Sequence, residues 1–185
     1  MRSLIFATNI SLDGCCDHTK LSGSEAIHEY FTNLMQDVDL LVYGRKTYQL
    51  MVPYWPDVAK NQSGQTKATN DFAQTFNAIN KLVFSRSLEN TEEKNTRIVR
   101  TDLRDEILRL KQEPGKSIST GGVDLPTQLI ELGLIDEYYF VVQPIIAGEG
   151  RRMFENTSLQ ERLQLKLVDT KTLTSGEVAL HYLKQ

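Results

Sequence analysis

Asp39-Leu40-Leu41-Val42-Tyr43 is an almost unbroken apolar run that leads straight into Gly44. A short run of this kind marks a strand buried on both faces, and such strands belong to parallel sheets covered by helices. The pattern recurs at Lys81-Leu82-Val83-Phe84-Ser85, and Lys116-Ser117-Ile118-Ser119, short and bounded by Pro114-Gly115, also reads as a strand. Amphipathic segments lie between. Ile27, Phe31, Leu34 and Met35 follow a capping Ser24 or Ser22, and Leu103, Ile107, Leu108 and Leu110 follow Asp102 or Thr101. Leu125, Leu129, Ile130, Leu132 and Leu134 recur at helical spacing after Gly121-Gly122.

Arg2 to Ile10, Arg97 to Arg100 and Glu137 to Gln143 read as further strands. Gln164 to Leu173 and Glu177 to Leu183 alternate around Thr174-Ser175-Gly176, which predicts an antiparallel hairpin. The order predicts one α/β domain over residues 1–185, with a mixed, mostly parallel sheet, helices on both faces and a closing antiparallel hairpin. The helix after Gly44 is expected to stop near Pro53 and Pro56. Asn61 to Thr69 reads as a polar loop, with a short helix carrying Phe72 and Phe76 beyond it.

Composition narrows the function. Lys and Arg number 21 against 24 Asp and Glu, a net charge of −3, with no basic run, so nucleic acid is not an expected partner. The apolar start, Met1 to Ala7, is too short for a signal peptide or a membrane span. Cys15 and Cys16 are adjacent and the only cysteines, which excludes a disulfide framework and makes a reducing cytoplasmic compartment the expectation.

In an open α/β sheet, ligands bind beyond the carboxyl ends of the strands. Those ends are Asn9 to Gly14, Gly44-Arg45-Lys46-Thr47, Ser85-Arg86-Ser87, Gly121-Gly122 and Gln143 to Gly150. A strand that turns through glycine into a helix exposes backbone N–H groups at the positive end of a helix dipole, which suits a phosphate. Arg45 and Arg86 add planar forks for a second one. The rim therefore suits an extended anion, although neither a G-x-G-x-x-G fingerprint nor a Walker motif is present.

Taken in order, Ser11-Leu12-Asp13-Gly14, Gly44-Arg45-Lys46-Thr47-Tyr48, Tyr54-Trp55-Pro56, Lys81 to Arg86, Thr120-Gly121-Gly122, Gly133 to Glu137 and Pro144 to Gly150 span nearly the whole chain. This set resembles the dihydrofolate-reductase-like superfamily, and within it proteins similar to the reductase domain of bacterial riboflavin biosynthesis. The resemblance implies a three-layer fold, NADPH as cofactor, and hydride transfer to a small pterin- or aminopyrimidine-like substrate. It places Ala7 and the Ile10 region at the nicotinamide. Gly44, Arg45, Lys46 and Thr47 take the pyrophosphate and adenosine side, Ser85 and Arg86 the 2′-phosphate, and Gly121 and Gly122 the pyrophosphate. It further implies a cis Gly121–Gly122 bond, costing ~3 kcal/mol at a non-proline position, and a homodimer. Two departures stand out. His28 occupies the first-helix position where dihydrofolate reductases carry a pterin-binding carboxylate, and the zinc deaminase signature is absent. A nucleotide-binding module without turnover and a flavin or deazaflavin binder are the alternatives.

Several residues carry two readings. Asp13 relays a proton or orients substrate, or it is a turn residue before Gly14. Trp55 and Tyr54 wall a substrate pocket, or they pack a helix end. Asn9 and Gln143 lie near the rim as substrate contacts. His28 reads as structural, and the cysteine pair as incidental.

Overall fold

The computed structural model describes all of residues 1–185. The elements run β1 (Leu4–Ser11), α1 (Glu25–Met35), β2 (Val38–Gly44), α2 (Arg45–Met51), α3 (Tyr54–Asn61), α4 (Lys67–Ala78), β3 (Asn80–Phe84) and β4 (Thr96–Val99). They continue α5 (Leu103–Gln112), β5 (Ser117–Thr120), α6 (Asp124–Glu131), β6 (Glu137–Gln143), β7 (Leu165–Thr172) and β8 (Val178–Lys184). One eight-stranded sheet results, in the order β4-β3-β2-β5-β1-β6-β8-β7. The six strands from β4 to β6 are parallel, and β8 runs antiparallel to both β6 and β7. This is the mostly parallel α/β sheet with a closing hairpin that the sequence pattern predicts.

Strand alternation sorts the core into two layers. Leu4, Phe6, Val42, Leu82 and Ile118 face α5 and α6, packing with Ile107, Leu110, Leu125 and Leu129. Their neighbours Ile5, Leu41, Tyr43 and Val83 face the other way, onto Met35 of α1, Tyr48 of α2 and Phe72 and Phe76 of α4. Lys81 is the exception in this apolar strand, and it is buried. Its Nζ donates to the carbonyls of Phe76 at 2.9 Å and Ile79 at 2.8 Å, so the charge satisfies the frayed end of α4.

Two readings of the middle of the chain are corrected. α2 ends at Met51, beside Pro53 as expected, but a second helix, α3, begins at Tyr54 and runs through Pro56. Pro56 lies in the first turn of α3, where no backbone N–H is needed, so it opens a helix rather than stopping one. The polar loop expected over Asn61–Thr69 is confined to Gln62–Thr66, with α4 starting at Lys67. The Thr66 hydroxyl accepts from the Thr69 N–H at 3.2 Å, capping a helix of 12 residues whose buried stripe is Ala68, Phe72, Ala73 and Phe76.

At the other edge, β7 is open to solvent and carries Lys166, Asp169 and Lys171 beside a register shift between Leu167 and Asp169. Charges and a bulge of this sort blunt a free edge against further strand pairing.

Leu129 is fully buried where α6 meets the sheet, so it holds the helix that follows Gly121-Gly122. Leu129→Ala is expected to lower unfolding stability by about 2–5 kcal/mol in a urea titration, the range for a buried leucine whose site cannot collapse. A loss under ~1 kcal/mol would show that α6 is loosely docked.

Candidate functional site

The strand order decides which carboxyl ends meet. β5 is inserted between β2 and β1, and the Thr120 hydroxyl pins it by donating to the Val42 carbonyl at 2.8 Å. β5 pairs with β1 only as far as Phe6 with Thr120, whereas β1 runs on beside β6 to Ser11 with Gln143. Beyond Thr120 the chain leaves the sheet. A side chain at Gly121 would sit 3.3 Å from the Ala7 carbonyl. Gly122 has φ +86°, and a Cβ there would overlap the Thr47 hydroxyl and lie 3.2 Å from the Thr47 Cβ. Only glycine permits both the conformation and the approach. The implied cis bond is corrected here: the structure contains no cis peptide, and the positive φ of Gly122 makes the reversal instead.

This contact sets the start of α6 against the start of α2. Gly44 and Val123, the residues preceding these helices, make no side-chain capping bond. Their first-turn N–H groups are therefore left without the usual side-chain acceptor. Both helices open onto a cleft of about 1070 Å³ at the carboxyl ends of the parallel strands. Of the predicted residues, Gly44, Arg45, Lys46, Thr47, Ser85, Arg86 and Gly122 line it together. Arg45 and Arg86 are exposed, and neither belongs to an ion pair. The Ser85 hydroxyl oxygen accepts from Leu88 N–H at 2.9 Å, which leaves its proton free for donation.

The cleft also gathers residues that sequence reasoning missed: Thr8, Arg100, Asp102, Asp124, Gln128 and Arg151. Thr8 could have been found from alternation on β1. Arg151 lies one residue past the Gln143–Gly150 segment assigned to the rim, and its pairing with Cys16 brings it here. Five cationic side chains (Arg45, Lys46, Arg86, Arg100, Arg151) face three carboxylates (Asp17, Asp102, Asp124). An excess of positive charge thus sits on a chain of net −3.

The remaining predicted residues lie outside this lining. Ala7 and Asn9 alternate with Thr8 and Ile10, so their side chains point to opposite faces of β1. Ile10 packs into the α5–α6 core, and Ala7 reaches the turn only through its carbonyl. Trp55 packs its ring against Phe72 at 4.5 Å and His28 at 5.6 Å, between helices. Burial there lowers the His28 pKa. Gln143 is buried and its amide is spent on Ser22, accepting from its N–H and hydroxyl at 3.2 Å and donating to its carbonyl at 2.9 Å.

Asp13 accepts from the Ser11 hydroxyl at 2.6 Å and from the N–H groups of Ala147 and Gly148 at 3.0 Å, with Arg152 alongside at 3.2 Å. The Ser11 and Ala147 bonds, in that order, hold its carboxyl far below the usual range. A group so firmly ionised carries no proton at neutral pH, which fits a clasp between two loops better than a relay. Burial, first, and then the neighbouring Cys15 push the Cys16 thiol up to about 11, so it is a poor nucleophile.

Residues 2–179 match the model of the RibD C-terminal domain family. The chain belongs to that family. It is 33% identical over 153 residues to the Bacillus subtilis protein YyaP, covering 82% of this chain and 77% of that one. Bacillus subtilis YwjB is 26% identical over 158 residues, covering 83% and 78%. Among solved structures, a putative riboflavin biosynthesis protein from Shewanella sp. PV-4 superposes with TM-score 0.74 at 19% identity, covering 100% of this chain and 99% of that one. A pyrimidine reductase-like protein from Corynebacterium diphtheriae gives 0.68 at 15%, with 100% and 92% covered. The chain spans 57% of a Thermotoga maritima diaminohydroxyphosphoribosylaminopyrimidine deaminase/5-amino-6-(5-phosphoribosylamino)uracil reductase, with TM-score 0.68 at 14% identity. The fold is the dihydrofolate-reductase-like one that the motif order implies.

Two outcomes test this geometry. Gly122→Ala is expected to cost well over 1 kcal/mol, from positive φ plus collision with Thr47. Gly148→Ala, at φ +73° with nothing within 4 Å, is expected to cost only the backbone strain, about 1 kcal/mol. Equal melting temperatures for the two variants would sink the close-approach argument. Asp13→Ala is expected to lower the melting temperature and to speed proteolysis between residues 144 and 150. A variant as resistant as the parent would leave the clasp without a role.

Proposed function

We propose that this RibD C-terminal domain protein is an NADPH-dependent reductase acting on a small heterocyclic acceptor of pterin or aminopyrimidine type. One observation carries the reading: two uncapped helix starts, joined through Gly122 and Thr47, share a positively charged cleft with two unpaired arginines. The donor set fits a dinucleotide with a further phosphate. The first turns of α2 and α6, with Lys46 and Thr47, would hold the diphosphate. Arg45, Arg86 and the Ser85 hydroxyl would hold the phosphate at the adenosine end. Thr8 lines the same cleft from β1, the strand whose Ala7 carbonyl is left beside Gly121. When bound, NADPH supplies the hydride; the chain's part is to align the two reactants and exclude water.

The names of the related structures support this direction, since one is a pyrimidine reductase-like protein and another a uracil reductase joined to a deaminase. A binding module without turnover is the second reading. His28, set among aromatic rings at the position of the pterin carboxylate, favours it.

Titration with NADPH and NADH, followed by an oxidation assay over pterins and aminopyrimidines, separates the readings. NADPH is expected to bind more tightly than NADH. Arg86→Ala is expected to weaken NADPH about 10- to 100-fold and spare NADH, since a charge-assisted bond to phosphate contributes about 1.5–3 kcal/mol. No binding of either cofactor overturns the proposal. Binding without consumption across the panel selects the module.

A further inference from the structure

One ion pair crosses the mouth of the cleft. Arg151 lies on the segment after β6, and that segment is tied to the loop after β1. Cys16 N–H donates to the Arg151 carbonyl at 2.8 Å, Met153 N–H donates to the Gly14 carbonyl at 2.8 Å, and Cys15 bridges Arg152. From this anchored base the Arg151 guanidinium pairs with Asp124, the first residue of α6. Lys46, in the first turn of α2, approaches the same carboxylate at 3.7 Å. Glu155 lies 3.8 Å from the Arg151 Nε.

A carboxylate therefore stands at the start of α6, next to the Gly122 turn and between two cations. These are the surroundings a diphosphate would itself use. We propose that Asp124 is an internal stand-in for the ligand's diphosphate, strapped in place by Arg151 and Lys46, and that the strap opens when an anion enters. The identification of that anion as a dinucleotide rests on the function proposed above; the strap does not. Opening exchanges one anionic partner for another, so both cations remain neutralised while the half-exposed Asp124 turns to water. A ligand carrying several negative charges compensates for the lost pair, and a weakly charged one does not. The strap thus lowers affinity and raises selectivity at the same position. The arrangement also shows in the acidities: the Arg151 bond comes first in lowering the Asp124 pKa, and the Asp124 bond first in raising that of Arg151.

Isothermal titration of the full chain with NADPH and, separately, with inorganic pyrophosphate tests the proposal. Asp124→Asn keeps the shape and removes the charge. It is expected to tighten both ligands about threefold to tenfold, the range set by one partly exposed ion pair and one removed like charge. Arg151→Gln is expected to weaken both by a similar factor, because Asp124 then faces the ligand with Lys46 alone. Asp124→Ser, which also suits a helix start, carries the same expectation should the asparagine variant fold poorly. Unchanged or weaker binding of both ligands in the Asp124 variants overturns the strap. NADPH binding that the substitution leaves unchanged overturns the strap and keeps the reductase reading. Tighter pyrophosphate binding without any NADPH or NADH binding keeps the strap and overturns that reading.

Discussion

The approach of Gly122 to Thr47 is the constraint on which the cleft depends. Two helices from non-consecutive strands begin side by side, and each start carries the positive end of a helix dipole. Left to electrostatics alone, two such ends separate. Here they are held together by the sheet, since β2 and β5 are neighbours and Thr120 is bonded to Val42. The backbone at Gly122 then fills the space a Cβ would need. The paired helix starts concentrate positive potential at one point of the cleft. In the ligand-free chain Asp124 supplies the answering charge from within.

Capping chemistry separates the helix starts that reach the cleft. α5 also opens toward the cleft, but the Asp102 carboxylate accepts from the Asp105 N–H at 3.1 Å and closes that end. α1 is capped by Ser24 and α4 by Thr66 in the same manner. The two helices in contact through Gly122 are preceded by Gly44 and Val123, which have no side-chain acceptor to offer. At the cleft the uncapped ends and the glycine contact coincide, so the free N–H groups of α2 and α6 are presented side by side.

Whether a feature was legible in the sequence follows the range of the interaction that determines it. Strand ends and helix starts are local, so Gly44 to Thr47, Ser85, Arg86 and Gly122 could be assigned to one rim before any coordinates. Pro56 misled because proline signals a stop or a start depending on which turn it enters. Thr66 was concealed inside a polar stretch whose tertiary burial only Phe72 and Phe76 announced. Arg151 and the partners of Asp13 were out of reach, because the first folds back over Cys16 and the second meets backbone N–H groups more than 130 residues away. Gln143 lay at the rim as expected, yet its amide is consumed by Ser22 across 121 residues of separation.

The two halves of the site thus rest on different chemistry. The phosphate-facing half is made of backbone, glycine and arginine, and it tolerates sequence change wherever the turn and the charges survive. The half beyond β1 depends on side chains, and in this chain several of those are already committed. Gln143 holds Ser22, Asp13 clasps the Ala147–Gly148 backbone, and His28 packs between Trp55 and Phe72 with its basicity lowered by burial. A cationic pterin ring finds no carboxylate at His28 and gains nothing from charge there. Under the reductase reading proposed above, an acceptor matched to this half is recognised by shape, stacking and neutral hydrogen bonds, with binding energy drawn mostly from the phosphate-facing side.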